Sequence, residues 1–509
     1  MLGIIDPNTL KIHYNINISK NLEKFLTIFY ENNAFPLLFL TKRVIICKSR
    51  RKHRLQNIEY YIMKHTKDMT TGNPFVALIL FSLPIIGGNL FQHFYNLMDI
   101  AIVGNSLGDD SLAAVGATSA LYGVFLCIAF GSTNGFSLVI AESFGAKNIE
   151  KLKASIAQTF ILSFIVGILL TIAAFLFTKP MLVLLKTPNV ELSYQYISIV
   201  LIFVLVMVCY NMFSCILRAV GNSVAPLIFL VISCFLNIGL DFYFICVLHL
   251  NVFGAGLATV ISQLISCILS GVYLFTKCKD ILPEKRHFKA NAALTKELIF
   301  NGISMALMFS IVSIGSITLQ YAVNNLGELT VAAHTTARKI DETMMLVFFP
   351  LSTACATYAS QNLGAGKLNR IKTGILAAFG ICFAVSLVMI AVTYLYGETL
   401  VKTISGSENM ELIKLGSYYL KLNIPFYFFL VLLVVLRSTL QSIRYKAIPI
   451  LASCTEMGGK ALVAFLITPK IGYVGIMLCE PAIWFIGGTI VSICFFYAMS
   501  KFKREYKKP

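Results

Sequence analysis

Twelve apolar spans in two blocks of six constrain this chain more than any other feature. The first block runs near 75–103, 111–143, 153–178, 191–218, 224–248 and 252–277; the second runs near 298–324, 331–357, 371–396, 412–440, 446–468 and 473–500. Each run is long enough to cross the hydrocarbon core of a bilayer. Lipid offers no partner to a backbone amide, so such runs must bond internally as helices. The expected fold is therefore an all-α polytopic membrane protein with twelve transmembrane helices. Composition agrees, with 57% hydrophobic and 13% charged residues and a mean hydropathy of +0.78. No cleavable signal peptide is expected, because the first strongly apolar segment starts near Phe75 and many more follow it. The thirteen cysteines sit mostly singly in apolar runs, without C-x-x-C pairs, and read as small core residues.

Loop charges set the orientation. Lys147, Lys151 and Lys153 follow span 2; Lys277, Lys279, Lys285, Arg286 and Lys289 crowd the link after span 6. Lys367, Arg370 and Lys372 follow span 8, Arg444 and Lys446 follow span 10, and Lys501 to Lys508 close the chain. The alternate loops, Asn105 to Ser111 and Asn325 to Thr330, hold acids and no Lys or Arg. The positive-inside rule then predicts a multi-pass protein of the plasma (inner) membrane with both termini cytoplasmic. The +18 net charge is accounted for by topology and anionic lipid, so the lipid bilayer is the implied partner and no nucleic acid is called for.

The two blocks are copies. "LGDDSLAA" (Leu107 to Ala114) matches "LGELTVAA" (Leu326 to Ala333), and "SFGAKN" matches "NLGAGK", both at an offset of 219 residues. Tyr196 and Pro226 match Tyr419 and Pro449 at an offset of 223, so a short insertion separates the stretches. Six spans per copy is even, so both copies start from the same membrane face. That predicts two six-helix lobes related by a pseudo-twofold axis along the membrane normal, with a cavity between them. The boundaries follow as an N-terminal lobe at 69–277, a cytoplasmic linker at 278–297, a C-terminal lobe at 298–500 and a basic tail at 501–509.

Within span 1, Pro84, Gly88, Gln92, Tyr95 and Asp99 fall at spacings of four, four, three and four, which places them on one helix face. Asp99 is the lone ionisable acid of that run, and an ionisable residue at membrane depth is a functional candidate. Pro84 removes an amide and crowds the preceding turn, so a kink is expected. In span 5, Asn237 and Asp241 share a face at i, i+4.

The order of motifs from Met69 to Lys501 resembles the multidrug and toxic-compound extrusion (MATE) transporters of bacterial type. The resemblance rests on "FSLPIIGGNLFQHFYNLMDIAIVG", the "GA-K" turns after spans 2 and 8, and "LRAVGNSVAP" (Leu217 to Pro226). It also rests on "LNIGLDFYFI" (Leu236 to Ile245), "GAGLATVISQ" (Gly254 to Gln263), "SQNLGAGKLNR", "CTEMGGK" and "CEPAIW". It implies a secondary active antiporter that exports organic, cationic small molecules in exchange for Na⁺ or H⁺. The family's N-lobe cation site maps onto Asp99, Asn237, Asp241 and Thr259, which would hold Na⁺ if that is the coupling ion; the family's Gln and Tyr map onto Gln92 and Tyr95. Bending of helix 1 is a transport step proposed within the family. All four site residues offer oxygen ligands, and two carboxylates facing one low-dielectric cavity cannot comfortably both ionise, so one must take up a proton or a cation. No cofactor beyond the coupling ion, no enzymatic activity and a monomeric state are expected. Rival readings are a lipid-linked precursor flippase of the same superfamily, which would need a strongly basic cavity, a membrane-embedded enzyme, and a channel without coupling.

The second copy does not repeat the cluster. Asp99, Asn237 and Asp241 correspond to Thr318, Lys460 and Ala464. The second half carries its own intramembrane charges instead: Arg338, Asp341 and Glu342 on span 8, Glu456 and Lys460 on span 11, and Glu480 on span 12. Spacings of three and four allow Arg338 to pair with Asp341 and Glu342, and Glu456 with Lys460, as structural pairs. His93 and His334 read as packed or hydrogen-bonded. Residues 1–68 carry twelve Lys and Arg against five Asp and Glu and have no spanning run, so they read as a basic cytoplasmic extension or an over-long start ahead of "MTTGNPF".

Overall fold

A computed structural model describes residues 68–184, 187, 189–289 and 291–505. The basic segment 1–67 and the last four residues lie outside the described residues, so the readings of the extension and of the far tail find no counterpart there. The first lobe comprises α1 (Pro74–Leu107), α2 (Asp109–Gly145), α3 (Ile149–Leu184), α4 (Val190–Ile202), α5 (Val204–Ala219), α6 (Val224–Phe242) and α7 (Asn251–Lys277). The second comprises α8 (Ala292–Asn324), α9 (Glu328–Met345), α10 (Phe348–Gly364), α11 (Leu368–Ser405), α12 (Met410–Asn423), α13 (Tyr427–Ser442), α14 (Ala447–Leu462), α15 (Thr468–Ile471) and α16 (Tyr473–Glu505). Eleven of the helical segments are long and apolar enough to cross a membrane, and twelve with the pair α4 and α5, which bends by 45°.

Local chemistry sets the ends. Asn73 accepts from the Phe75 amide with Pro74 in the first turn, and Asn291 accepts from the Leu294 amide, so each lobe begins on an asparagine cap. Gly108 (φ 82°) turns α1 into α2, and its repeat mate Gly327 (φ 93°) turns α8 into α9. The helix α1 continues unbroken through Pro84.

The copies also share their irregularities. The fourth span breaks at Phe203, and the tenth breaks through a 3₁₀ turn at Ile424–Phe426. The fifth and eleventh spans both pass into a π-helical turn, Tyr243–Val247 and Val463–Ile467. Span 8, expected as one helix, is two, because residues 346 and 347 interrupt the ladder between α9 and α10.

The lobes meet along small residues. A Cβ on Gly131 would overlap the Ala306 backbone, and one on Gly135 would overlap Asn301 and Gly302. At the end carrying the basic loops, a Cβ on Gly145 would overlap the carbonyl of Gln361, and one on Gly364 the carbonyl of Glu142. Toward mid-span, Phe130 meets Phe309 edge-on at 5.7 Å. Polar ties reinforce the closed end. The Gln361 side chain accepts from the Met69 amide (3.1 Å) and donates to the Ala219 carbonyl (2.8 Å). Arg444 pairs with Glu142 and, at 3.7 Å, with Glu297, while Lys151 reaches Glu142 at 3.8 Å and Glu297 at 3.5 Å.

Candidate functional site

Between the lobes lies a cavity of about 530 Å³, walled by α1, α2, α5, α6 and α7 on one side and α8, α10 and α13 on the other. Of the stripe on α1, Pro84, Gly88, Gln92 and Tyr95 face this cavity, as do Asn237 of α6 and Thr259 of α7. Tyr122, also on the wall, donates through its hydroxyl to the Met207 sulfur (3.5 Å). His93 also lines the wall.

Asp99 and Asp241 stand behind that lining rather than on it. Asp241 is fully buried and Asp99 is 8% exposed. They lie within electrostatic reach of one another, and Tyr196 lies within reach of both. One Asp99 oxygen, both Asp241 oxygens and both amide atoms of Asn237 are buried without a hydrogen-bond partner. Thr259 donates to the Ala255 carbonyl of its own helix (3.1 Å), which leaves its oxygen able to accept or ligate. The four residues predicted from sequence are therefore all buried in the first lobe, on the mutually packed helices α1, α6 and α7. Leaving such groups both charged and unpaired in a low-dielectric interior is costly.

The second lobe does the opposite with its charges. Arg437 pairs with Glu456 (3.2 Å), Glu456 with Lys460 (3.2 Å), and Lys460 with Glu480 (3.2 Å). Glu480 then meets Arg338 (3.6 Å), which reaches Asp341 (3.2 Å) and the exposed Glu342 (3.4 Å). The Tyr427 hydroxyl donates to Asp341 (2.5 Å), and Lys460 donates to Ser316 (3.2 Å). The pairs expected at helical spacing form, but they are links of one chain of alternating charge across α9, α13, α14 and α16 rather than separate pairs. His334 is packed edge-on against Tyr419 and Tyr473 and bonds the Tyr473 hydroxyl (3.2 Å).

Sequence reasoning passed over Arg437, the lone charge of α13, and gave no role to Arg218, the lone charge of α5. Both line the cavity. The signal that singled out Asp99, one charge in an apolar run, was present at each.

The MatE family model matches residues 84–243 and 304–466, one stretch in each lobe and more than half the chain together. The chain belongs to the MatE family. Among relatives of this MatE chain is the probable multidrug resistance protein YoeA of Bacillus subtilis, 26% identical over 360 residues, covering 68% of this chain and 78% of YoeA. A MOP superfamily transporter from Pyrococcus furiosus shares the fold at a TM-score of 0.80 and 23% identity, over 86% of this chain and 99% of that one. A MATE structure in the bent conformation aligns equally well, with a TM-score of 0.80 at 22% identity over 87% and 99% of the two chains. The expected membership, the membrane setting and the two-lobed all-helical fold are thereby established.

Proposed function

We propose that this MatE protein exports small organic molecules by alternating access, driven by inward movement of Na⁺ or H⁺ through the cluster of Asp99, Asn237, Asp241 and Thr259. The observation that carries the reading is the set of buried, partnerless oxygens on Asp99, Asn237 and Asp241 beside a cavity shared by both lobes. Carboxylate, amide and hydroxyl oxygens suit Na⁺ and protons alike. Occupancy of the cluster changes the charge buried between α1, α6 and α7, and that change biases the packing of α1 against its neighbours. With the basic loops in the cytoplasm, the glycine contacts and the Glu142–Arg444 tie seal the inner side, so this arrangement is the outward-facing one. The multidrug role that YoeA bears in its name supports drug-like substrates here.

The cationic substrate expected from sequence came from the family resemblance, and the acids of the first lobe were expected to hold the coupling ion. Those acids stand off the cavity surface, so they serve the coupling ion and leave substrate charge to the wall residues. The test is dye movement in proteoliposomes under separately imposed Na⁺ and pH gradients. Movement that follows one gradient and is lost in Asp99→Asn supports coupling at this cluster; movement indifferent to both gradients refutes it.

A further inference from the structure

The charge on the cavity wall points away from a cationic cargo. Among the described residues that line it there is no Asp or Glu; the formally charged ones are Arg218 of α5 and Arg437 of α13. They line the same cavity from opposite lobes, Arg218 from α5 of the first and Arg437 from α13 of the second. Arg437 is 4% exposed; its Nη1 is held by Glu456 (3.2 Å) and Ser453 (3.4 Å), while its buried Nε has no partner. Arg218 donates through Nη2 to the Cys215 sulfur (3.0 Å), a weak acceptor, and no acid lies within ion-pair distance of it among the described residues. Two half-satisfied guanidinium forks in one low-dielectric cavity are unfinished anion sites.

We propose, resting on the export reading above, that the transported substrate is an organic anion whose carboxylate or phosphate group is clamped between Arg218 and Arg437. Hydroxyls of Ser223 and Ser438, also on the wall, supply further donors beside the guanidinium groups. Tyr122, Met207, Met308 and Phe309 offer the apolar surface for the rest of the molecule. Glu456 behind Arg437 holds that guanidinium in place from the protein side, so Arg437 positions its remaining donors without a partner of its own in the cavity. The geometry thus separates the two charges of the transport cycle, with the coupling cation in the first lobe and the anionic group at the interface of both.

The full chain, purified in neutral detergent, is titrated with two xanthene dyes of similar size, the anion carboxyfluorescein and the cation tetramethylrosamine, followed by fluorescence anisotropy. Carboxyfluorescein is expected to bind more tightly, Arg218→Gln to weaken it about tenfold, and Arg218→Lys to weaken it less. Arg437→Gln should act in the same direction, but it strands Glu456, so the deciding variant is Arg218→Gln, which lies outside that charge chain. Competition by inorganic phosphate and by vesicles containing phosphatidic acid separates a soluble anion from a lipid headgroup as the source of the charge. Tighter binding of tetramethylrosamine, or carboxyfluorescein binding indifferent to Arg218→Gln, overturns the anion site. If tetramethylrosamine transport still follows an ion gradient in that case, the export reading stands and only the anion site falls.

Discussion

Gly145 and Gly364 are repeat mates that seal the two lobes reciprocally: a Cβ on the first would overlap the carbonyl of Gln361, and one on the second that of Glu142, which is itself the repeat mate of Gln361. The same symmetry governs the side chains around them. Gln361 crosses to Ala219 at the end of α5, and Glu142 crosses to Arg444 just beyond the end of α13. Two equivalent contacts about one axis close one end of the cavity, and only glycine permits the approach.

Gly145→Ala should therefore weaken the sealed state by about 1–3 kcal/mol, the usual cost of a methyl forced into a filled contact. In inside-out vesicles, a cysteine placed at Ser137 in a cysteine-depleted background should become more reactive toward an impermeant thiol reagent when Gly145→Ala is added. Unchanged reactivity would mean that the contact does not act as a gate.

The Glu142–Arg444 tie is half solvent-exposed on the arginine side, so its worth is small and screened by salt. Arg444 also adopts φ 72° where its repeat mate Gly221 adopts φ 92°, a conformation that disfavours a side chain. Arg444→Gly should thus cost ~1 kcal/mol or less in thermal stability, because relief of backbone strain offsets the lost pair. A melting-temperature loss as large as that of a core cavity would contradict this balance.

The chain of charges in the second lobe should behave as a structural unit. Glu456→Gln leaves Arg437 and Lys460 buried with less compensation and should destabilise by ~3–5 kcal/mol, read as a lowered unfolding temperature in detergent. Glu456→Gln together with Lys460→Met should recover part of that loss and keep gradient dependence.

Orientation follows the loop charges. Cysteines introduced at 105–111 should react with an impermeant thiol reagent on intact cells, and those at 282–289 should react only after permeabilisation. The reverse pattern would invert the topology and, with it, the assignment of the sealed end to the cytoplasm.

What was legible in the sequence is what short-range pattern encodes. The spans and the repeat could be read because apolar length and the offset of 219 are properties of the chain itself. Asp99, Asn237, Asp241 and Thr259 came from one helical stripe and a family resemblance, and they do share a buried region. The breaks at Phe203 and residues 346–347 left no trace in the hydropathy, because apolar runs continue through them. The link from Glu480 to Lys460 and Arg338 joins helices distant in sequence, so no spacing rule could show it. Which acids reach the cavity wall was equally hidden, because the burial of Asp99 and Asp241 away from it is decided by tertiary packing.

Dye movement in proteoliposomes under separately imposed Na⁺ and pH gradients bears most directly on one-lobe coupling. Carboxyfluorescein and tetramethylrosamine are followed in parallel, so that the nature of the cargo does not decide the result. Asp99→Asn and Asp241→Asn should each abolish gradient dependence, and the double variant should be little worse than either, since groups acting as one unit are not additive. Glu456→Gln with Lys460→Met should retain it. Gradient-driven movement surviving in Asp99→Asn, or lost in the second-lobe variant at normal expression and with dye binding intact, would contradict coupling through the first lobe alone.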